Sequence, residues 1–241
     1  MLDNGFTFGK KSTWDFPIMK VEKYPSARGG IRKYQTYSIP GRNGDLHVDE
    51  GAFQNYTQPY ECYYHTDMLT NEMAHAVKAW LLASGGYQRL IDAYDPTHYR
   101  LATVLEEVEI KNVLNAYGRF TVNFNCDPRS FLISGDSPQL LTVPTILRND
   151  GFTSLPIIKV YGAGDGTVTV GEITVQLFGL EDTITLDCEM QNAYRETGGV
   201  LENMNLHIYA PEFPNLPPGN CAVSWSGGVE RLEIIPRWWT V

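Results

Sequence analysis

The sequence predicts a mostly β chain of two domains, with one helix in the first. Three observations carry this. Short runs that alternate apolar and polar residues recur along the chain, parted by turn pairs such as Pro40-Gly41, Asn43-Gly44, Asp95-Pro96 and Asp165-Gly166. Only residues 70–85 show helical spacing. A content of 22 Gly and 14 Pro with 12% aromatics favours short strands and tight turns. With 241 residues, 43% hydrophobic and 20% charged, the chain suits one large β-domain or two ordinary ones and is too apolar for disorder.

Taken in order, Phe6 and Phe8 share one face of a short first strand, and residues 18–24 alternate as a second. Residues 25–30 form a loop ending at Gly29-Gly30. Residues 31–39 place Ile31, Lys33, Gln35, Tyr37 and Ile39 on one side, which is not cleanly apolar and suits an edge or an arm. From Pro40 to Gly44 the chain turns. Leu46 and Val48 then face away from Asp45 and His47, and a second bend is expected at Asp49-Glu50-Gly51. Tyr60, Cys62 and Tyr64 alternate with Glu61, Tyr63 and His65, so tyrosines fall on both faces. Tyrosine is favoured where one end of the ring stays wet. Two readings fit residues 31–64: a core hairpin of a β-domain, or an arm making subunit contacts through Tyr37, Pro40, Arg42, Tyr56, Tyr60 and Tyr64.

In residues 70–85, Met73, Val77, Trp80 and Leu81 make one apolar stripe; Thr70 or Asn71 suits the cap, Glu72 the first turn and Gly85-Gly86 the stop. His75 on this helix reads as an ordinary helical histidine. Residues 99–110 are expected to form a strand carrying Glu106, Glu107 and Glu109 on a solvated edge. Residues 118–126 give the clearest strand, with Phe120, Val122, Phe124 and Cys126 on one face, ended by Asp127-Pro128. The first domain is placed at residues 1–133 and the second at 134–241, with residues 134–138 (SGDSP) as the linker. The second half reads as strands at 140–147, 156–161, 167–170, 172–178, 183–187, 207–209, 220–225 and 229–237, with turns at Asn149-Asp150-Gly151, Asp165-Gly166, Gly198-Gly199 and Pro217-Pro218. That spacing argues for a β-sandwich.

Chemistry is sparse. The glycine-rich residues 162–166 precede a strand rather than a helix, so they read as a hairpin turn and not a phosphate loop. Ser224-Trp225-Ser226-Gly227 lacks the first glycine of a nucleophile elbow. The five histidines show no metal-ligand spacing, and Asp182, Asp187 and Glu189 match no EF-hand, so neither metal nor cofactor is expected. Glutamates on one strand alternate faces, whereas a glycosidase needs two carboxylates facing each other across a cleft. Trp225, Trp238 and Trp239 could stack on a sugar or fill a sandwich core. The four cysteines are far apart; with no export signal at Met1-Leu2-Asp3-Asn4, buried free thiols are expected. No apolar run is long enough to span a bilayer, so no membrane insertion is expected. A net charge of −9 argues against nucleic-acid binding.

The residues give a two-domain, acidic, non-enzymatic β protein with an aromatic arm. In order and spacing the chain also resembles a known family. The likeness runs through Phe6–Phe8, the stretch Ile39-Pro40-Gly41-Arg42-Asn43-Gly44-Asp45-Leu46, Trp80-Leu81, Tyr94-Asp95-Pro96 with Tyr99-Arg100, and the exit strand from Phe120 to Asp127-Pro128. It continues in Asn149-Asp150-Gly151, Ser154-Leu155-Pro156, Gly162, residues 184–187, residues 216–220 and Ile234-Ile235-Pro236-Arg237-Trp238. These resemble the short form of the distal tail proteins (Dit) of siphophages. The resemblance implies an N-terminal ring-forming, β-sandwich-like domain, six copies of which continue the tail tube and let DNA pass, and a C-terminal galectin-like β-sandwich turned toward adhesion components. It implies as partners the tail tube protein, a tail-associated or fibre protein, and receptor-binding or baseplate proteins. Localisation would be the virion tail tip, after synthesis in the bacterial host cytoplasm. On this reading Glu106, Glu107 and Glu109 are candidates for the channel wall. The rival readings are a carbohydrate-binding adhesin and, on the carboxylates alone, a glycan hydrolase.

Overall fold

The computed structural model describes residues 4–16, 18–66, 70–114 and 116–241. The chain divides into two compact units, one running to Ser130 and including Val241, the other Phe131–Thr240.

The first unit contains β1 (Phe6–Phe8), β2 (Lys11–Ser12), β3 (Met19–Val21), β4 (Ile31–Ser38), β5 (Asp45–Gln54), β6 (Tyr56–His65), α1 (Thr70–Leu81), β7 (Gln88–Asp92), β8 (His98–Val104), β9 (Ile110–Leu114) and most of β10 (Tyr117–Leu132). Seven strands follow the order β2-β1-β7-β8-β10-β6-β3, and β9 pairs with the start of β10. The helix forms where the spacing predicts. Its stripe of Met73, Val77, Trp80 and Leu81 is buried in one cluster with Phe6, Phe8, Tyr60 and Phe124. Phe6 stacks on Trp80 at 5.6 Å and meets Phe124 edge-on at 5.4 Å. The Trp80 indole donates to the Phe8 carbonyl at 3.0 Å, so the one polar atom of the ring is satisfied and ties helix to sheet. Phe120, Val122, Phe124 and Cys126 alternate inward as expected.

A buried charge pair locks three strands of this sheet. Asp92, at the end of β7, takes the Tyr60 hydroxyl from β6 at 2.6 Å and the Arg100 guanidinium from β8 at 3.1 Å on one carboxylate oxygen. Its other oxygen accepts the backbone N–H groups of Tyr94 and Asp95, which shapes the Tyr94-Asp95-Pro96 turn. Burial first, and the Asp92 charge second, push the Tyr60 phenol well above its ordinary range.

Five expectations for the chain's course are corrected. Asp49-Glu50-Gly51 is not a bend between strands: β5 runs through it as a bulge, where the register shifts against Arg32 and Tyr34 and Gly51 takes a positive φ of 71°. Glu106, Glu107 and Glu109 lie in the connection between β8 and β9, not on a strand. Asp127-Pro128 does not end β10; its ladder to β6 stops at Cys126, so the missing N–H of Pro128 breaks no bond there. Residues 134–138 are folded into the second unit, beginning in a 3-10 turn at Ile133–Asp136 whose Gly135 carbonyl accepts from Arg237. The fifth correction concerns residues 162–166 and belongs to the second unit.

That unit contains β11 (Gln139–Leu141), β12 (Thr145–Asn149), β13 (Ile157–Val170), β14 (Ile173–Asp187), β15 (Asn192–Thr197), β16 (Val200–Asn203), β17 (Ile208–Tyr209), β18 (Gly219–Ile235) and β19 (Trp239–Thr240). The order is β11-β18-β13-β14-β15-β16, with β12 on β18 and β17 on β14. Residues 162–166 are the middle of β13, not a hairpin turn. There the registers to both β14 and β18 shift. The glycines permit the backbones to touch: a Cβ on Gly162 would lie 2.0 Å from the Gly228 carbonyl oxygen. Through this glycine crossing the three long strands fold over. Ile158, Val160, Ile184, Leu186, Leu232 and Ile234 from one half share a single apolar cluster with Val168, Val170, Val175, Leu177, Cys221 and Val223 from the other. The result is sandwich-like, as expected, although one continuous sheet makes it. The hairpin β15–β16 around Gly198-Gly199 was expected only as a turn.

Replacing Asp92 with alanine strands a buried guanidinium and a buried phenol. Asp92→Ala should cost about 3–5 kcal/mol in urea unfolding, against about 1 kcal/mol for Tyr60→Phe. Alkali should also unfold the protein. Burial pushes the Cys126 and Cys188 thiols up to about 12 from 9.0, and the Tyr56 phenol up to about 12 from 10.0. The folded chain keeps these protons longer than the unfolded one. Their contribution is complete below about pH 9 and is lost as the pH rises to 12, so thermal melts begun at about pH 8 should stay level and then fall over that window.

Candidate subunit-contact surface

Among the described residues the hairpin β4–β5 pairs only with itself. Its turn is the Pro40-to-Gly44 segment, with Gly41 and Gly44 at positive φ. Directly opposed residues share a face, so the pairs Tyr37–Leu46 and Gln35–Val48 build one side, and Thr36–His47 and Ser38–Asp45 the other. The first side is largely apolar and open to water: Tyr37 is 50% exposed, Leu46 41% and Val48 45%, with Gln35 beside them accepting the Tyr37 hydroxyl. The second side is mostly polar, with Tyr34 set against His47. There Thr36 bonds the His47 ring at 3.1 Å, and Arg32 pairs with Asp49. The Gly51 N–H, donating to Asp49 at 2.8 Å, is the main cause that holds this carboxyl below its usual range, with Arg32 assisting. Below the bulge, Arg32 lies 5.0 Å over the Phe53 ring. An isolated two-stranded hairpin is marginal in water, and one with an uncovered apolar face is more so.

The six residues expected to make contacts divide. Tyr37, Pro40 and Arg42 are on this hairpin and exposed. Tyr56 is half-buried against the first unit's core. Tyr60 and Tyr64 are corrected: at 1% and 0% exposure they are core, Tyr60 because its hydroxyl is spent on Asp92. The structure adds Leu46 and Val48, whose alternation was visible but was not assigned to the contact. The tryptophans are engaged internally. Trp225 and Trp238 pack on the second unit's core, and Trp239 stacks on Phe152 at 4.8 Å while donating to the Thr153 carbonyl.

Charge is unevenly placed. Of the 28 acidic and 19 basic residues, 13 and 5 lie in residues 131–240, leaving 15 and 14 in the rest. The acidity therefore belongs to the second unit, and the net charge says little about the first. Near the 106–109 segment, a cleft of about 450 Å³ is lined by both signs, with ion pairs Lys23–Glu61 at 2.8 Å and Arg119–Glu22 at 3.1 Å. Glu106 accepts from Asn123. Asp187 and Glu189 hold Arg237 at 3.1 and 3.3 Å. Among the described residues no group of three or more His, Cys, Asp or Glu could hold a metal ion, and no helix is long and apolar enough to cross a membrane. All four cysteines are buried and free.

No protein-family model and no curated protein matches the chain. Solved structures do. The SPP1 Dit protein, described as a paradigm of the hub adsorption apparatus in phages that infect Gram-positive hosts, superposes with a TM-score of 0.74 at 11% identity, over 98% of this chain and 99% of that one. The phage P2 baseplate in its activated conformation with Ca matches with a TM-score of 0.55 at 8% identity, over 97% of each chain. The fold is thus one shared with phage tail-hub proteins. The likeness to Dit expected from the order of the motifs is present, at the level of fold, across both units.

If the hairpin face bears on another chain, its residues should be dispensable for the single subunit. Tyr37→Ser with Leu46→Ser should change monomer unfolding free energy by no more than about 0.5 kcal/mol at each site, while Tyr64→Ser should cost about 3–5 kcal/mol. Denaturant melts at a concentration where the protein is monomeric compare them.

Proposed function

We propose that this protein is the distal tail hub of a siphophage. Six copies of the first unit form a ring that continues the tail tube and lets DNA pass. The second unit, a galectin-like sandwich in this reading, presents an acidic surface to tail-associated, fibre, receptor-binding or baseplate proteins. The chain acts as a structural joint of the virion tail tip and not as an enzyme. The observation that carries the reading is the end-to-end likeness in fold to the SPP1 Dit protein. The uncovered hairpin supports it, because a ring supplies a neighbour for each apolar face. A near balance of charge in the first unit suits a channel along which a polyanion slides without being held.

Light scattering tests this directly. The purified protein should show a mass six times the 27.1 kDa of one chain, or assemble to it once the tail tube protein is added. The Tyr37→Ser, Leu46→Ser double variant should remain at one chain's mass. A single-chain mass for the unaltered protein with tube protein present would overturn the reading.

A further inference from the structure

The first unit also has an open apolar groove. It lies between the C-terminal half of α1 and the β1–β2 turn, has a volume of about 360 Å³, and is lined by Phe8, Ala79, Trp80, Ala83 and Gln88. Lys10 and Lys11 stand at its rim. Lys10 has no ionic partner among the described residues, and Lys11 only approaches the Phe16 ring at 6.0 Å.

We infer that this groove receives the β4–β5 hairpin of a second copy of the chain, with Leu46 and Val48 seated in the groove and Glu50 against Lys10 and Lys11. The inference rests on the ring reading above and names the acceptor surface that reading leaves open. The two surfaces are complementary in the single chain. The hairpin offers an apolar row of Leu46 and Val48 that its own subunit leaves in water, followed by Glu50, an acid with no ionic partner among the described residues. The groove offers an apolar lining that includes the Phe8 and Trp80 rings, Ala79 and Ala83, together with two cations. The large cleft near residues 106–109 fits less well, because it is lined by paired charges of both signs, and seating Leu46 there would desolvate them for no apolar gain. Eight to ten extended residues reach roughly 26–33 Å.

A photo-crosslinker tests the seat. A benzophenone amino acid replaces Leu46 in the full chain, isotopically labelled and unlabelled chains are mixed and assembled, and the irradiated product is digested and mapped. The expected result is a crosslink from position 46 of one chain to residues 8–11 or 79–88 of another. Crosslinks to any other segment of a second chain would overturn the groove while leaving the ring reading standing. Crosslinks confined within single chains would overturn both. A charge swap gives an independent readout. Lys10→Glu with Lys11→Glu should raise the concentration for half-assembly about tenfold, and adding Glu50→Lys should restore it. No change in the first variant, or no rescue in the second, would overturn the pairing.

Discussion

A two-stranded hairpin has no core of its own. In β4–β5, the faces of Tyr37, Leu46 and Val48 meet water, and among the described residues the strands pair with nothing but each other. Burying such side chains fully is worth about 1.5–3 kcal/mol each, and at 41–50% exposure the single subunit leaves nearly half of that unrealised. The rest of the structure can be understood as a support for that unmet surface. The arm leaves the curled sheet from a narrow base, where a Cβ on Gly30 would collide with Pro128, so the chain passes close against β10 before it projects. Its return strand enters β6, and β6 is held within the sheet by the Tyr60–Asp92–Arg100 node. An arm rooted beside a buried, fully bonded carboxylate is aimed by the fold. Only its outer part is left uncovered by the single subunit.

The two units divide the work by chemistry. The first is nearly neutral and built around aromatic rings packed on one helix, which suits close contact with other copies. The second holds most of the acidic excess and is built from three long strands folded over at a glycine crossing.

Much of the fold was legible because local pattern and tertiary environment agreed. The stripe Met73, Val77, Trp80, Leu81 and the alternation Phe120, Val122, Phe124, Cys126 each face a core that extends along the whole element. Where a residue's environment is made by partners distant in sequence, the pattern was silent. Tyr60 and Tyr64 are amphipathic side chains on an alternating strand, and nothing nearby shows that Asp92 and Arg100 will bury the first. An acid set within the apolar run Leu90-Ile91-Asp92-Ala93 was the available signal. Gly51 and Gly162 both read as turns, because a glycine that permits a turn equally permits a bulge or a close crossing, and only the facing strand decides between them. The strand Asn192–Thr197 buries only the small Ala193 in the core, so it carries no apolar alternation, and the backbone ladders to β14 and β16 with the Arg195–Glu202 pair hold it. Of the contact surface, the exposed half was visible in Tyr37, Pro40 and Arg42, whereas Leu46 and Val48 could be assigned only once their face was seen uncovered.

Amide hydrogen exchange along β4 and β5, followed over a dilution series, tests the central claim most directly, because it reads whether the hairpin's order comes from its own subunit or from another. The account predicts that the β4–β5 amides exchange rapidly in the dilute single chain and become strongly protected in the assembled protein, while the amides of β10 and α1 are protected throughout. Equal protection of the hairpin at every concentration, or rapid exchange there in the assembled protein, would contradict it.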